Sequence, residues 1–271
     1  MRQFKFISRF VWIFVRMTTD PGTEPLLVTL SGTAPAPLPS SAVRVSGIKT
    51  KLLRLTRAEA AVSAYLEPWL SMVNVAYVDS FEPDYVPQSW KRLPSAEELL
   101  QKLNNGAIIF LVVADHPHDL QVLASVVAQP YTSPTEEERK TLDDYRTAWL
   151  IPETPEYYPK APRWHLRFLC VASEVQHQGL ASWLLELIEG EVQRTARTAT
   201  STTKATNVTI AGEESEKELG VVMVISTFKE TTGAFYMRKG WRTMEDRWMP
   251  PGFIGSQTGF FASFMDKYLP L

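Results

Sequence analysis

The sequence predicts an α/β domain in which a mixed β-sheet is flanked by helices. Residues 107–114 and 221–225 are short, almost entirely apolar runs, typical of strands covered on both faces. Residues 164–171 form a third such run, followed by a short glycine-containing turn and an amphipathic helical pattern that continues to Val192. Strands that alternate with helical segments favour a sheet with helices packed on its faces.

Composition narrows the class of protein. The chain has 271 residues, 45% of them hydrophobic, which is enough for a substantial core. Its net charge of −2 gives no basic surface for nucleic acid, so we expect no nucleic-acid partner. The single cysteine, Cys170, excludes an intrachain disulfide and cannot supply a structural zinc site. These features indicate a reducing, cytoplasmic setting.

Residues 1–46 are predicted to precede the folded domain. Residues 1–19 are basic, free of acids and partly apolar, and residues 21–45 are rich in Pro, Ser, Ala and Thr, as in a linker. The apolar run 10–15 is too short to span a bilayer, so we expect no stable membrane insertion. An Arg-rich, acid-free start is also typical of a mitochondrial presequence, which is the alternative location.

The domain is predicted to occupy residues 47–271. Its first half contains a strand at 52–55, a helical segment at 58–77 that Pro68 divides or bends, and a capping box at 95–98 that opens a short helix. The strand 107–114 and a second strand, 121–129, are joined by a polar turn. That turn holds two aspartates and two histidines, but nothing else in the sequence supplies a third well-placed ligand. A hairpin turn is therefore preferred to a metal site.

The second half contains two irregular segments. Residues 130–163 are predicted to form an inserted lid or edge, in which Tyr157 and Tyr158, with the adjacent Trp164, either line a pocket or pack on the surface. Residues 195–218 are Ser/Thr-rich and then acidic, and are predicted to be a flexible loop. A strand at 221–225, a helix at 230–239 ending at Gly240, and one or two closing strands complete the domain.

The turn after the central strand is a candidate anion site. A helix that begins just after a strand directs unpaired N–H groups, and the positive end of its dipole, beyond the strand end. Gly179 would let those amides approach a ligand, and Ala181 keeps the first helical turn thin. The alternative is a plain connection whose glycine only makes the turn. The candidate residues are Gln176, His177, Gln178, Gly179, Leu180 and Ala181.

A second pattern, residues 235–241, places Tyr236 near the end of the helix that precedes Gly240. Together with the turn at 176–181, it resembles the GCN5-related N-acetyltransferase (GNAT) superfamily, in which a Q/R-x-x-G-x-G/A turn precedes a downstream tyrosine motif. The order of predicted elements is also similar to that family's. The resemblance covers approximately residues 50–265.

The resemblance implies a fold, a donor and a mechanism. It implies the acyl-CoA N-acyltransferase fold, acetyl-CoA as the acyl donor, an amine as acceptor, and no metal. Backbone groups of Leu169, Cys170 and Val171 would bind the pantetheine arm as an added strand would, and amides of residues 176–181 would hold the pyrophosphate. The amine would attack the thioester directly, and Tyr236 would protonate the departing thiolate.

Some residues depart from the family pattern or remain unassigned by it. Ala181 is an accepted variant of a glycine, whereas Lys229 replaces an asparagine that often contacts the cofactor arm. Glu174 and His165 are the candidates for the base that takes the amine's proton. Cys170, inside an apolar strand, is interpreted as inert packing.

The predicted activity is N-acetylation of a primary amine, first of a small molecule. A protein lysine or N-terminus is the alternative acceptor, and a non-catalytic acyl-CoA-binding module of the same fold is the alternative class.

Overall fold

The computed structural model describes residues 48–79, 91–115, 120–140, 142, 147–153, 161–206 and 220–271. Seven strands form one sheet in the order β1-β2-β3-β4-β5-β7-β6. Neighbouring strands are antiparallel except β4 and β5, which are parallel, so the predicted mixed sheet is confirmed. The strands are β1 (Thr50–Leu55), β2 (Ile108–Ala114), β3 (Val122–Pro130), β4 (Arg163–Val171), β5 (Gly220–Phe228), β6 (Arg242–Met249) and β7 (Phe260–Pro270).

Helices cover both faces of this sheet. They are α1 (Arg57–Ala61), α2 (Leu66–Asp79), α3 (Ala96–Gln101), α4 (Glu136–Lys140), α5 (Leu180–Thr206) and α6 (Ala234–Arg238). The helical segment predicted at 58–77 is indeed divided, but the break comes before Pro68. Pro68 therefore lies in the first turn of α2, where its missing N–H breaks no helical hydrogen bond. At α3, the hydroxyl of Ser95 accepts a hydrogen bond from the Glu98 amide, as the capping pattern predicts.

The boundary predicted after the central helix is wrong. Residues 195–206 continue α5 and are not part of a loop. Ala196 stays buried, and the hydroxyls of Thr195 and Thr198 donate to the carbonyls of Glu191 and Arg194. Threonines that bond backward in this way satisfy their polar groups without ending the helix. Residues 207–219, the hairpin turn 116–119 and the extension 1–46 lie outside the described residues.

In the 130–163 insertion, the segment around Trp149 packs against the sheet. On β5, Val221 and Met223 point to the core that contains α5, whereas Val222 and Val224 point to a second core on the other face. Trp149 lies in that second core, with its ring 6.0–6.5 Å from the rings of Phe228, Phe253, Phe260 and Phe264. The segment around Trp149 is therefore a cover for the sheet and not a lid. No helix within the ranges that the structure describes is long and apolar enough to cross a membrane.

Candidate functional site

The two parallel strands separate in the middle of the sheet. Pairing between β4 and β5 ends where His165 lies opposite Val224, while β5 stays paired with β7 as far as Phe228. A cavity of about 260 Å³ lies where the strands diverge. It is lined by residues 165–171 of β4, residues 225–228 of β5, the start of α5, part of α6 and the end of α2.

A β-bulge bends β4 beside this cavity. Ser125 pairs with Cys170 and Val127 pairs with Arg167, so two residues of β4 oppose one of β3. Phe168 takes a φ of 49°, a left-handed conformation that is uncommon for a bulky residue. The buried hydroxyl of Ser125 donates to the Phe168 carbonyl at 2.8 Å and helps to hold it there. Sequence reasoning missed the bulge. The one indication of it was Ser125, a hydroxyl-bearing residue inside an otherwise apolar strand.

The backbone of β4 beyond the bulge faces the cavity at alternate residues. The Ala172 amide donates to Leu123 of β3 at 2.8 Å. Because backbone groups alternate in direction along a strand, Leu169 and Val171 turn theirs toward the cavity. Those of Cys170 turn toward β3, although Cys170 is among the residues that line the cavity. Burial raises the pKa of the Cys170 thiol to about 12, so it stays protonated.

The turn between β4 and α5 exposes amide donors to the cavity. Trp183 donates to the Gly179 carbonyl at 3.0 Å, so the amides of Leu180, Ala181 and Ser182 precede the first helical hydrogen bond. The first turn of α5 carries no acidic residue. Gly179 has a φ of 83°, and a Cβ placed there would meet nothing within 4 Å. The left-handed backbone conformation therefore favours glycine here, and no neighbouring side chain fills the space beside it.

The other turn residues differ in their placement. The side-chain amide of Gln176 donates to the Val171 carbonyl at 3.1 Å, so it fixes the turn to the strand end. His177 has a φ of 62°, and its exposed side chain lines the rim. Leu180 and Ala181 line the cavity, whereas Gln178 is not among its lining residues.

Tyr236 reaches the cavity from α6, which follows a π-helical turn at Lys229–Gly233. The residue is only 5% exposed, and its ring packs edge-to-face with Phe235 and Trp241. Gly240, with a φ of 82°, ends the helix, and the Trp241 amide donates to the Tyr236 carbonyl at 3.1 Å. Burial, with smaller effects of Tyr77 and Cys170, raises the pKa of the Tyr236 phenol well above its usual range. The phenol therefore keeps its proton at neutral pH.

Lys229, at the position where the GNAT pattern often has an asparagine, is directed away from the cavity. Its ammonium forms an ion pair with Asp246 of β6 at 2.6 Å and is not among the groups that line the cavity. Thr231 and Thr232 of the π-helical turn line it instead. The Thr232 hydroxyl donates to the Phe228 carbonyl at 3.1 Å, which ties this turn to the end of β5.

The two candidate bases lie in different surroundings. Glu174 is exposed on a 3₁₀ turn, where it accepts a hydrogen bond of 2.7 Å from Gln121 and lies outside the cavity lining. His165 lines the cavity, with its ring edge-to-face against Tyr131. Burial, together with Arg167, Arg163 and Arg92, lowers the pKa of His165 well below 6.5, so the imidazole is neutral at pH 7. The structure thus brings His165 to the cavity and leaves Glu174 outside.

Other predicted or overlooked residues can now be placed. Trp164 is buried in the core and does not line the cavity, while Tyr157 and Tyr158 lie outside the described residues. Arg92, which sequence reasoning did not select, lines the cavity with its guanidinium 3.6 Å above the centre of the Tyr77 ring. Among the residues with described positions, no group of three His, Cys, Asp or Glu could hold a metal ion.

No protein-family model matches the sequence, and no curated protein matches it. Solved structures that align with this chain include the following three. The ribosomal-protein-S18-alanine N-acetyltransferase from Escherichia coli aligns over 81% of this chain and 95% of its own, with 11% identity and a TM-score of 0.44. NAA60 from Arabidopsis thaliana, in complex with acetyl-CoA, aligns over 81% and 98%, with 10% identity and a TM-score of 0.42. An acetyltransferase of the GNAT family from Streptococcus pneumoniae aligns over 80% and 99%, with 14% identity and a TM-score of 0.40.

With TM-scores below 0.5, these alignments carry no argument of their own. The order of elements in this chain is itself the one that the GNAT resemblance implies: a strand, helices, a strand pair, the central strand with its helix, a further strand, the tyrosine helix and a closing strand pair. The separation of β4 from β5 is also present. The resemblance is therefore confirmed at the level of the fold.

Proposed function

We propose that this chain is an N-acetyltransferase of the GNAT type that moves an acetyl group from acetyl-CoA to a primary amine. The observation that carries the proposal is the cavity between β4 and β5. It has the first amides of α5, which precede the first helical hydrogen bond, at one end and the protonated phenol of Tyr236 in its wall. Acetyl-CoA would supply an activated thioester, and the chain would supply binding, orientation and proton transfer.

Backbone groups carry most of the proposed donor binding. The amides at the start of α5, and the left-handed turn at Gly179, suit an anionic pyrophosphate. The cavity-facing backbone of Leu169 and Val171 can pair with the amide groups of a pantetheine arm as another strand would. The Val171 carbonyl already accepts one hydrogen bond from Gln176, so it has one lone pair left for this role.

The acceptor must reach the thioester as a neutral amine. With a pKa near that of lysine, on the order of one alkyl amine in a thousand is neutral at pH 7. His165 is placed to accept the proton because its imidazole lines the cavity and is neutral at pH 7. Its lowered pKa makes it a weak base, so the proton must leave as the amine attacks the thioester and not before. We assign it the role of base, and we do not assign that role to Glu174.

Tyr236 would complete the reaction by donating a proton to the leaving thiolate. A phenol whose pKa is raised by burial keeps its proton throughout the physiological range. The edge-to-face rings of Phe235 and Trp241 hold the Tyr236 ring in one orientation, so the donor is fixed before the reaction begins.

Two measurements, made one after the other, test the proposal. Calorimetric titration should show specific binding of acetyl-CoA, with free ATP as the negative control. At a hundredfold excess over the dissociation constant, binding should stabilise the fold by about 2.7 kcal/mol. Release of free thiol in the presence of a panel of small-molecule amines should then report turnover. Binding without turnover of any amine would identify a non-catalytic acyl-CoA-binding module. Failure to bind any acyl-CoA would refute the proposal.

A further inference from the structure

One arginine at the cavity has a charge and N–H donors that none of the described residues uses. Arg92 lies flat over the Tyr77 ring, 3.6 Å from its centre, and 5.9 Å from the centre of the Phe168 ring. It makes no hydrogen bond or ion pair with any residue in the described part of the chain. A guanidinium that stacks by its face keeps the N–H groups on its edge available for a ligand.

The backbone next to Arg92 is firmly held. The side chain of Asn74 on α2 accepts from the Leu93 amide at 3.0 Å and donates to the Leu93 carbonyl at 2.9 Å. Leu93 itself is only 2% exposed. Because this double hydrogen bond fixes the adjacent residue, and Tyr77 supports the side chain, little freedom remains for Arg92 to lose on binding.

Among the charged side chains that line the cavity, Arg92 is the cation that remains available to a ligand. Arg167 also lines the cavity, but its guanidinium donates to the Lys102 carbonyl at 2.7 Å. Asp79 is the one carboxylate in the lining, and it forms no ion pair with Arg92. The cavity therefore offers an unpaired guanidinium to whatever enters it.

The position of Arg92 assigns it to the acceptor and not to the donor. It contacts Phe168 at the bulge, and its charge acts on His165, the proposed base. Within the described residues, none of its contacts is with the turn at 176–182, where the phosphates of the donor are proposed to bind.

We infer that the acceptor amine carries a carboxylate, which Arg92 binds through a bidentate pair while His165 receives the proton of the amine. Such a substrate is an amino acid or a related small amino-carboxylic acid. This inference rests on the proposed acetyltransferase activity. Arginine suits the role because its fork of N–H donors matches the two oxygens of a carboxylate.

The test compares amines that differ only in the carboxylate. Phenylalanine with phenethylamine, leucine with isoamylamine, and lysine with cadaverine form three such pairs. In the wild-type protein at least one acid should exceed its decarboxylated partner in kcat/KM. In Arg92→Met that preference should fall about 10- to 100-fold, the loss expected for a charge-assisted hydrogen-bonded pair. Arg92→Lys should retain part of it, because the charge remains and the fork is lost.

Controls separate the possible failures. Lys91→Met removes a neighbouring exposed cation outside the cavity lining and should leave the preference unchanged. Arg92→Met should bind acetyl-CoA as tightly as the wild type does, and a tenfold loss would reassign Arg92 to the donor phosphates. Two results with a wild type that binds acetyl-CoA would overturn the inference. In one, the wild type prefers the decarboxylated amines; in the other, it neither acetylates nor binds the amino acids. Absence of acetyl-CoA binding in the wild type would instead refute the proposed function.

Discussion

The two ends of the cavity are built in different ways. The proposed donor end comes from one continuous segment, residues 169–182, in which a strand edge, a left-handed turn and a helix start follow each other along the chain. The proposed acceptor end is assembled from distant parts. Tyr77 comes from α2, Arg92 from the segment before α3, and His165 from β4. Tyr131, from the insertion that follows β3, packs against His165 from outside the cavity lining.

The difference separates two kinds of recognition. The donor end presents mainly backbone amides and carbonyls, which every sequence supplies once the turn has formed. The acceptor end presents an imidazole, a guanidinium and aromatic rings, whose chemistry depends on residue identity. Substitutions at the donor end should therefore matter only where they change conformation or charge, whereas those at the acceptor end should alter rate and specificity.

The largest effect is expected at Gly179. Gly179→Glu places a carboxylate beside the first amides of α5 and should abolish acetyl-CoA binding in a calorimetric titration. Gly190→Glu introduces the same side chain at an exposed position of α5 with open space around it, and should bind normally. Gly179→Asn separates strain from charge, because asparagine tolerates a positive φ better than other residues do. Retained binding in Gly179→Glu would show that the turn is only a connection.

Tyr236→Phe should have the next largest effect, on turnover alone. Loss of the proton donor should lower kcat about 100-fold, within the usual range for general acids, while the dissociation constant for acetyl-CoA changes less than about twofold. Burial raises the pKa of the phenol, so its proton is lost only at high pH. The ratio of wild-type to variant rates should therefore stay constant up to pH 10. An unchanged kcat would remove Tyr236 from the mechanism.

The turn and helix start at the proposed donor end could be predicted from the sequence because their information is local. The turn at 176–181 and the tyrosine before Gly240 were found from spacing, and the order of strands and helices followed from apolar periodicity. The parallel pairing of β4 with β5 ends after three residue pairs, and no local pattern records that. The bulge at Phe168 depends on a register shift against β3, which is likewise a property of two distant segments.

At the proposed acceptor end, His165 was a predicted candidate, whereas Arg92 was missed because its position depends on distant contacts. Arg92 lies in a segment with no motif, and its position depends on two hydrogen bonds between Leu93 and Asn74, 19 residues away. The insertion was predicted as a lid or edge because it lacks regular structure. In fact Trp149 is held among four phenylalanines by side-chain packing that a one-dimensional pattern does not encode.

His165→Gln tests the acceptor end with a smaller effect. Glutamine keeps a polar side chain but cannot take up the proton, so kcat should fall about tenfold or more at neutral pH. The pKa of His165 is lowered, so the imidazole loses its function only as pH falls through a value below 6.5. The ratio of wild-type to variant rates should be flat from pH 6.5 to 8.5 and should decrease toward one below that. Taking the ratio cancels ionisation of the amine itself.

The smallest effect is expected for Glu174→Gln, which decides between the two candidate bases. Glu174 is exposed, hydrogen-bonded to Gln121 and outside the cavity lining, so removing its charge should change kcat less than about twofold. The amide replacement can still bond to Gln121, so the turn at 173–175 should keep its form, and acetyl-CoA affinity is the readout for that. A tenfold loss of kcat in Glu174→Gln, with His165→Gln unaffected, would place the base beside the donor turn. The group that takes the proton would then lie at the donor end, which one continuous segment forms. The two ends would differ only in how the acceptor is bound.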